Sequence, residues 1–170
     1  MIAVTRSDIT VKWIAYLAAL AIVSGFNYSI LSRFPIALPI LLPMAVVAAA
    51  VLEGPNFGST FGIAAGVLLA SAGHKGLLCI PLLALLGWLC GLLAQYVLRR
   101  DLVGHTLCAI GAIVLWELWQ VGTHWVTHAA ALPLLIKAAL PELLWTLLFS
   151  FPVYWLFRFC CVRFGRIYHE

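Results

Sequence analysis

The chain has 170 residues, of which 65% are hydrophobic and 9% charged, with a net charge of +4. Soluble domains carry roughly 45–50% apolar and about 25% charged residues, and one of about 150 residues buries only about 68–70% of its unfolded surface. A water-soluble fold would leave a continuous apolar exterior, so lipid becomes the expected solvent, and the modest charge excludes a basic nucleic-acid-binding face.

A helix rises about 1.5 Å per residue through a hydrocarbon layer of about 30 Å, so each crossing needs about 20 mostly apolar residues. The apolar runs predict an all-α integral membrane protein, one transmembrane domain over residues 1–170, with spans at 11–31, 35–52, 57–73, 76–98, 102–126 and 134–158. The first follows Thr5, Arg6, Ser7 and Asp8. Its length and the absence of a small-residue cleavage site make it a span and not a removable leader. Pro35, Pro39 and Pro43 predict a kinked or partly unwound start to the second. The third is short and glycine-rich, and its length also fits a re-entrant hairpin with the fourth.

Six spans with the N-terminus inside place Arg6, Lys12, Arg99, Arg100, Arg158, Arg163 and Arg166 in the cytoplasm and Arg33, Lys75 and Lys137 on the far side. This N-in/C-in arrangement obeys the positive-inside rule, whereas omitting the third span strands Arg99 and Arg100. Trp13, Tyr96, Trp125, Tyr154 and Trp155 fall near span ends, where interfacial aromatics belong. The basic C-terminal end is suited to anionic lipid headgroups.

The third span repeats glycine every four residues at Gly58, Gly62 and Gly66, and the fourth answers with Gly87 and Gly91. Such bare stripes let helices approach closely where hydrophobicity cannot drive them together. They predict either packing of the third span on the fourth or an interface with a partner helix.

Intramembrane polar residues form a second group. Glu117 lies mid-span in Leu-Trp-Glu-Leu-Trp-Gln, close to Gln120, and must face the bundle interior to escape lipid. Lys137 and Glu142 bracket the start of the sixth span, as headgroup anchors or as partners of each other or of Glu117. Cys79, Cys90, Cys108, Cys160 and Cys161 contain no C-x-x-C and behave as small hydrophobes. His124 and His128 share a helical spacing without an evident third ligand, no G-x-S-x-G turn is present, and a Ser–His dyad would need a histidine deep in a span, whereas His105 is expected about one turn inside the fifth, near the cytoplasmic surface. No catalytic residue, metal site or cofactor is expected, and the chain is read as a non-enzyme.

Taken in order, these features resemble the MreD family of bacterial rod-shape membrane proteins over roughly residues 40–165. They are the glycine-rich opening from Phe57-Gly58 to Gly66, the polar break Ala72-Gly73-His74-Lys75-Gly76, and a Leu-rich span ending in Leu98-Arg99-Arg100. Trp116-Glu117-Leu118-Trp119, then Leu140-Pro141 opening a last span with a basic tail, complete the pattern. Many members carry an acidic residue near the end of the third span, where this chain reads Leu69-Ala70-Ser71, so no acidic role transfers there. The resemblance implies a bacterial inner-membrane scaffold of the elongation machinery (elongasome). It would bind the bitopic protein MreC and connect the MreB cytoskeleton to the peptidoglycan polymerase RodA and its transpeptidase partner.

A second architecture is similar: the substrate-binding subunit of energy-coupling-factor vitamin transporters. It implies a ligand pocket lined by Glu117, Gln120, Asn56 and Trp119, with Ala15-x-x-x-Ala19 as a docking face for the coupling partner.

Overall fold

The computed structural model describes residues 6–29, 41–71, 77–98, 101–126 and 132–164, with the side chains of 6–9, 124, 126, 132–140 and 164 excepted. Among them the chain is helical throughout: α1 (Arg6–Ser29), α2 (Leu41–Glu53), α3 (Pro55–Ser71), α4 (Cys79–Tyr96), α5 (Leu102–Val126) and α6 (Leu132–Phe164). Four of these hold apolar windows long enough to cross a membrane, at Thr10–Ser29, Cys79–Tyr96, Leu102–Thr123 and Pro141–Arg163. The 13 residues of α2 and 17 of α3 reach only about 20 and 25 Å, short of a hydrocarbon layer of about 30 Å. The expected kink at Pro35 and Pro39 lies outside the described residues, and Pro43 sits in the first turn of α2. A missing N–H is harmless there, because the first four have no intrahelical partner.

The interior is apolar, but the surface is unlike that of a water-soluble protein. Ile14, Ile22, Val67, Leu85, Leu107, Leu148 and Phe159 point outward, while Lys12, Glu53, His105, Glu117, Thr146 and Ser150 are buried. Polar groups turned inward and apolar groups outward are what a hydrocarbon solvent selects. α2 is the axis of this arrangement: every residue from Leu41 to Glu53 is buried, and the helix touches each of the other five. Ala45, Ala48, Ala49 and Ala50 keep it slim enough to be surrounded.

The α2–α3 turn is a single residue. Gly54 takes φ +104°, its N–H donates to the Ala50 carbonyl at 2.9 Å, and Pro55 opens α3. Positive φ favours glycine at a helix end, and the fixed φ of proline suits a first helical position. The carbonyl of Gly54 then accepts from Gly58 N–H at 2.9 Å, which starts the α3 ladder.

α3 and α4 make the most extensive helix pair, and their glycines face each other. A Cβ added at Gly58 would lie 2.5 Å from Ala50 Cβ and 2.7 Å from the Gly87 carbonyl; at Gly66 it would lie 2.7 Å from Ile80 Cα. At Gly62 it would collide with the Leu83 carbonyl, at Gly87 with the Gly58 carbonyl, and at Gly91 with Pro55 Cα. Rising numbers on α3 meet falling numbers on α4, so the two are antiparallel. The same logic orders the rest. Early α1 meets the end of α2, early α5 meets late α4 through Cys108 and Cys90, and His105 of α5 stacks on Tyr154 of α6.

The glycine seam generates a paired test. Gly62→Leu should abolish recovery of a monodisperse protein in mild detergent, and Gly62→Ala should cost toward the upper end of the roughly 1–3 kcal/mol typical of overpacking. Gly111→Leu should be tolerated, because no atom beyond its own stretch of helix lies within 4 Å of its added Cβ. Size-exclusion profiles and denaturation midpoints in detergent distinguish the three.

Candidate functional site

The most concentrated polar chemistry lies where early α1, the end of α2 and late α6 converge. Lys12 and Tyr16 are four residues apart on α1, so they share one helical face. Both reach the same oxygen of Glu53: Lys12 Nζ lies 2.7 Å from Oε1, and the Tyr16 hydroxyl donates to it at 2.8 Å. The two charged side chains are only 1% and 0% exposed. Cys161 of α6 lies beside Glu53 and Tyr16. Gly54 and Pro55 end α2 immediately after Glu53, fixing the depth at which its carboxylate sits.

Aromatic rings wall off this cluster. Trp13 packs on Phe57 with centroids 4.4 Å apart, Tyr16 on Phe57 at 5.0 Å and on Phe157 at 5.5 Å, and Phe61 on Phe157 at 5.6 Å. Such ring pairs add about 0.5–1.5 kcal/mol each beyond area burial, and here they exclude water from an ion pair. The low dielectric strengthens the attraction but also raises the cost of leaving either charge alone.

The residues singled out by the sequence fall in separate places. Gly58, Gly62, Gly66, Gly87 and Gly91 all lie in the contact between α3 and α4 or the adjoining turn, so their bare surfaces are already occupied within the chain. Glu117 is buried and turned into the bundle, beside a crevice of about 10 Å³ lined by Pro43, Met44, Ile113, Trp116 and Thr146. Gln120 is half-buried one turn further along α5. Glu142 is half-buried on α6, and its carbonyl accepts from the Thr146 hydroxyl at 2.6 Å. The side chains of Lys137 and His124, together with all of His128, lie outside the described residues, and with them the proposed Lys137 contacts. Each of the five cysteines is a buried free thiol. Asn56 is exposed in the first turn of α3. Glu117 packs at the level of Pro43, ten residues before Glu53 on α2, so Asn56 and Glu117 stand about 15 Å apart in depth. They do not share a pocket.

The ion pair is not evident from the sequence, where Lys12 has the place of a flanking cytoplasmic cation. That assignment of Lys12 is corrected here: its ammonium lies inside the bundle. One signal is present, since Lys12 and Tyr16 stand four residues apart and so on one helical face. The partner, 41 residues further along, carried no such mark. Comparison with protein-family models, curated proteins and solved structures gives no match to this chain.

Removing one member of the pair should be far worse than inverting it. Lys12→Met removes the cation facing a buried carboxylate and should lower stability by about 3–5 kcal/mol. The reversed pair Lys12→Glu with Glu53→Lys should recover at least half of that loss, as read from unfolding equilibria in detergent or bicelles. A reversed pair no better than Lys12→Met would contradict a direct ionic contact.

Proposed function

We propose that this chain is a six-span protein of the bacterial cytoplasmic membrane, with both ends in the cytoplasm. In this reading it is a non-enzymatic scaffold of the cell-shape and peptidoglycan-elongation machinery that binds an MreC-like bitopic protein. The observation that carries the reading is the distribution of polarity: the charged groups buried in the bundle are turned inward, and the faces left to neighbours are apolar. A protein built this way acts through in-membrane helix faces and short loops, the surfaces to which another protein's single transmembrane helix binds. Alternating helix directions support the topology, because six crossings return the chain to its starting side. α2 and α3 would complete their crossings with flanking residues or with a locally thinned bilayer. Arg158 and Arg163 at the end of α6 then face the cytoplasmic headgroups. RodA, its transpeptidase partner and MreB follow as indirect partners through the same assembly.

The transporter-subunit reading fits less well. Small-molecule sites occupy roughly 300–1,000 Å³, whereas the crevice at Glu117 holds about 10 Å³, the space of about one water. Ala19 of the supposed docking face is buried in the core. Coexpression with an MreC-like protein decides between the two. The scaffold reading expects stoichiometric copurification in mild detergent, lost when the transmembrane helix of the bitopic partner is replaced by an unrelated one. Copurification instead with a pair of ATPases, or retention of a vitamin through purification, would replace it with the transporter reading.

A further inference from the structure

We propose that the seam between α5 and α6 conducts protons across the membrane, in steps from Glu117 past the hydroxyls of Thr146 and Ser150 to His105. The proposal rests on the bundle crossing lipid and holds whichever partner the protein serves.

α6 carries Glu142, Thr146, Ser150, Tyr154 and Arg158 at every fourth position, and between Glu142 and Arg158 every other residue is apolar apart from the indoles of Trp145 and Trp155. Positions four apart line one ridge of a helix. Thr146, Ser150 and Tyr154 are buried, whereas Glu142 is half-buried and Arg158 exposed, so the ridge enters the bundle in its middle and leaves it toward either end. α5 supplies two buried titratable groups, His105 and Glu117. Their positions in the sequence set them about 18 Å apart along the axis, with no carboxylate, imidazole or amine between them. The thiol of Cys108, on that stretch, turns to the Cys90 carbonyl of α4 at 3.8 Å.

α6 fills this gap. Thr146 lines the crevice beside Glu117 that has the space of about one water. The Ser150 carbonyl lies beside the His105 ring, and the Tyr154 ring stacks on it with centroids 4.6 Å apart. Four residues of helix rise about 6 Å, close to the reach of one water making two hydrogen bonds of about 2.8 Å each. The Ser150 hydroxyl donates to the Leu147 carbonyl at 2.8 Å, and its oxygen keeps lone pairs with which to hold such a water.

His105 is the observation that points to a mobile proton. Its side chain is fully buried, and neither Nδ1 nor Nε2 completes a hydrogen bond within the bundle. The one carbonyl beside the ring serves a single nitrogen at best, and an orphaned imidazole in hydrocarbon is costly unless water or a proton reaches it. Hydroxyls that only bind helices together need no titratable group at either end. Each transit moves one proton. Glu117 takes it from water at the Gln120 mouth as a carboxyl O–H and passes it to a water at Thr146. A water at Ser150 then delivers it to His105, where an N–H bond forms, and the imidazolium releases it to water beside Asp101, exposed one turn earlier on the chain.

The test reconstitutes the purified chain into liposomes that hold a pH-sensitive dye, with a potassium gradient and valinomycin supplying an inside-negative potential. Flotation with the vesicles reports insertion separately from flux, and protein left out of the floating fraction would overturn the membrane reading on which the path depends. Parent vesicles should acidify severalfold faster than protein-free ones. His105→Phe and Ser150→Ala should each bring the rate most of the way back to that baseline. Asn56→Ala, at an exposed position on α3, should match the parent. Ser150→Ala decides if the histidine variant fails to fold, because it removes one hydroxyl and leaves the backbone ladder intact. A parent rate no faster than protein-free vesicles would overturn the proposal, as would the full parent rate in either folded seam variant.

Discussion

In hydrocarbon an apolar side chain gains almost nothing by turning inward, so helices are held by how closely their backbones approach and by polar groups that find each other inside. Both forms of cohesion meet at the α2–α3 turn. Gly91 of α4 lies against Pro55 and Gly54, bringing the α3–α4 seam up to the turn, and the residue before the turn is the carboxylate that binds α1. Moving α4 away by the width of one methyl group would therefore disturb the seam and the anchor of the ion pair together.

The enclosure of α2 follows from the same constraint. A helix of small and branched residues can be surrounded only if its neighbours also come close, and Ala50 lies against Gly58 where α3 passes. Glu53 is the exception at its end, a charge in a helix otherwise free of ionisable groups. Buried ion pairs are weak contributors to stability and stronger candidates for fixing register. Here the carboxylate selects one rotation of α1, because only one face carries both Lys12 and Tyr16.

Much of the fold was legible because the signals were local. Apolar length placed α3, α4, α5 and α6 within three residues of where they begin, α5 at both ends, and the Gly58-Gly62-Gly66 spacing marked α3 as a close-packing helix. Glu117 was legible too, since a carboxylate mid-span has nowhere to go but inward. The shortness of α2 was not: Pro35 to Pro43 blurs where an apolar run becomes a helix. Nor was the mate of Lys12. A cation at the very start of an apolar run has the sequence appearance of an interfacial anchor, and pairing across 41 residues depends on how helices stack, which periodicity within one helix does not encode. The glycine stripes showed the converse limit, since spacing predicts a close approach but not whether the neighbour is the same chain.

The helix contacts are uneven across the bundle. α2, α3 and α4 interlock through small residues, while α1 is joined to them by the Glu53 contacts of Lys12 and Tyr16 and by rings packed on Phe57 and Phe157. The central claim is that lipid surrounds the bundle on every apolar face, that of the short α3 included. Spin labels at Val67, Leu107 and Leu148, all outward-facing, measure this through their relaxation by oxygen, which concentrates in lipid, and by a water-soluble nickel chelate. Oxygen should dominate at all three positions. Dominance of the nickel chelate at Val67 would place α3 in water and contradict the account.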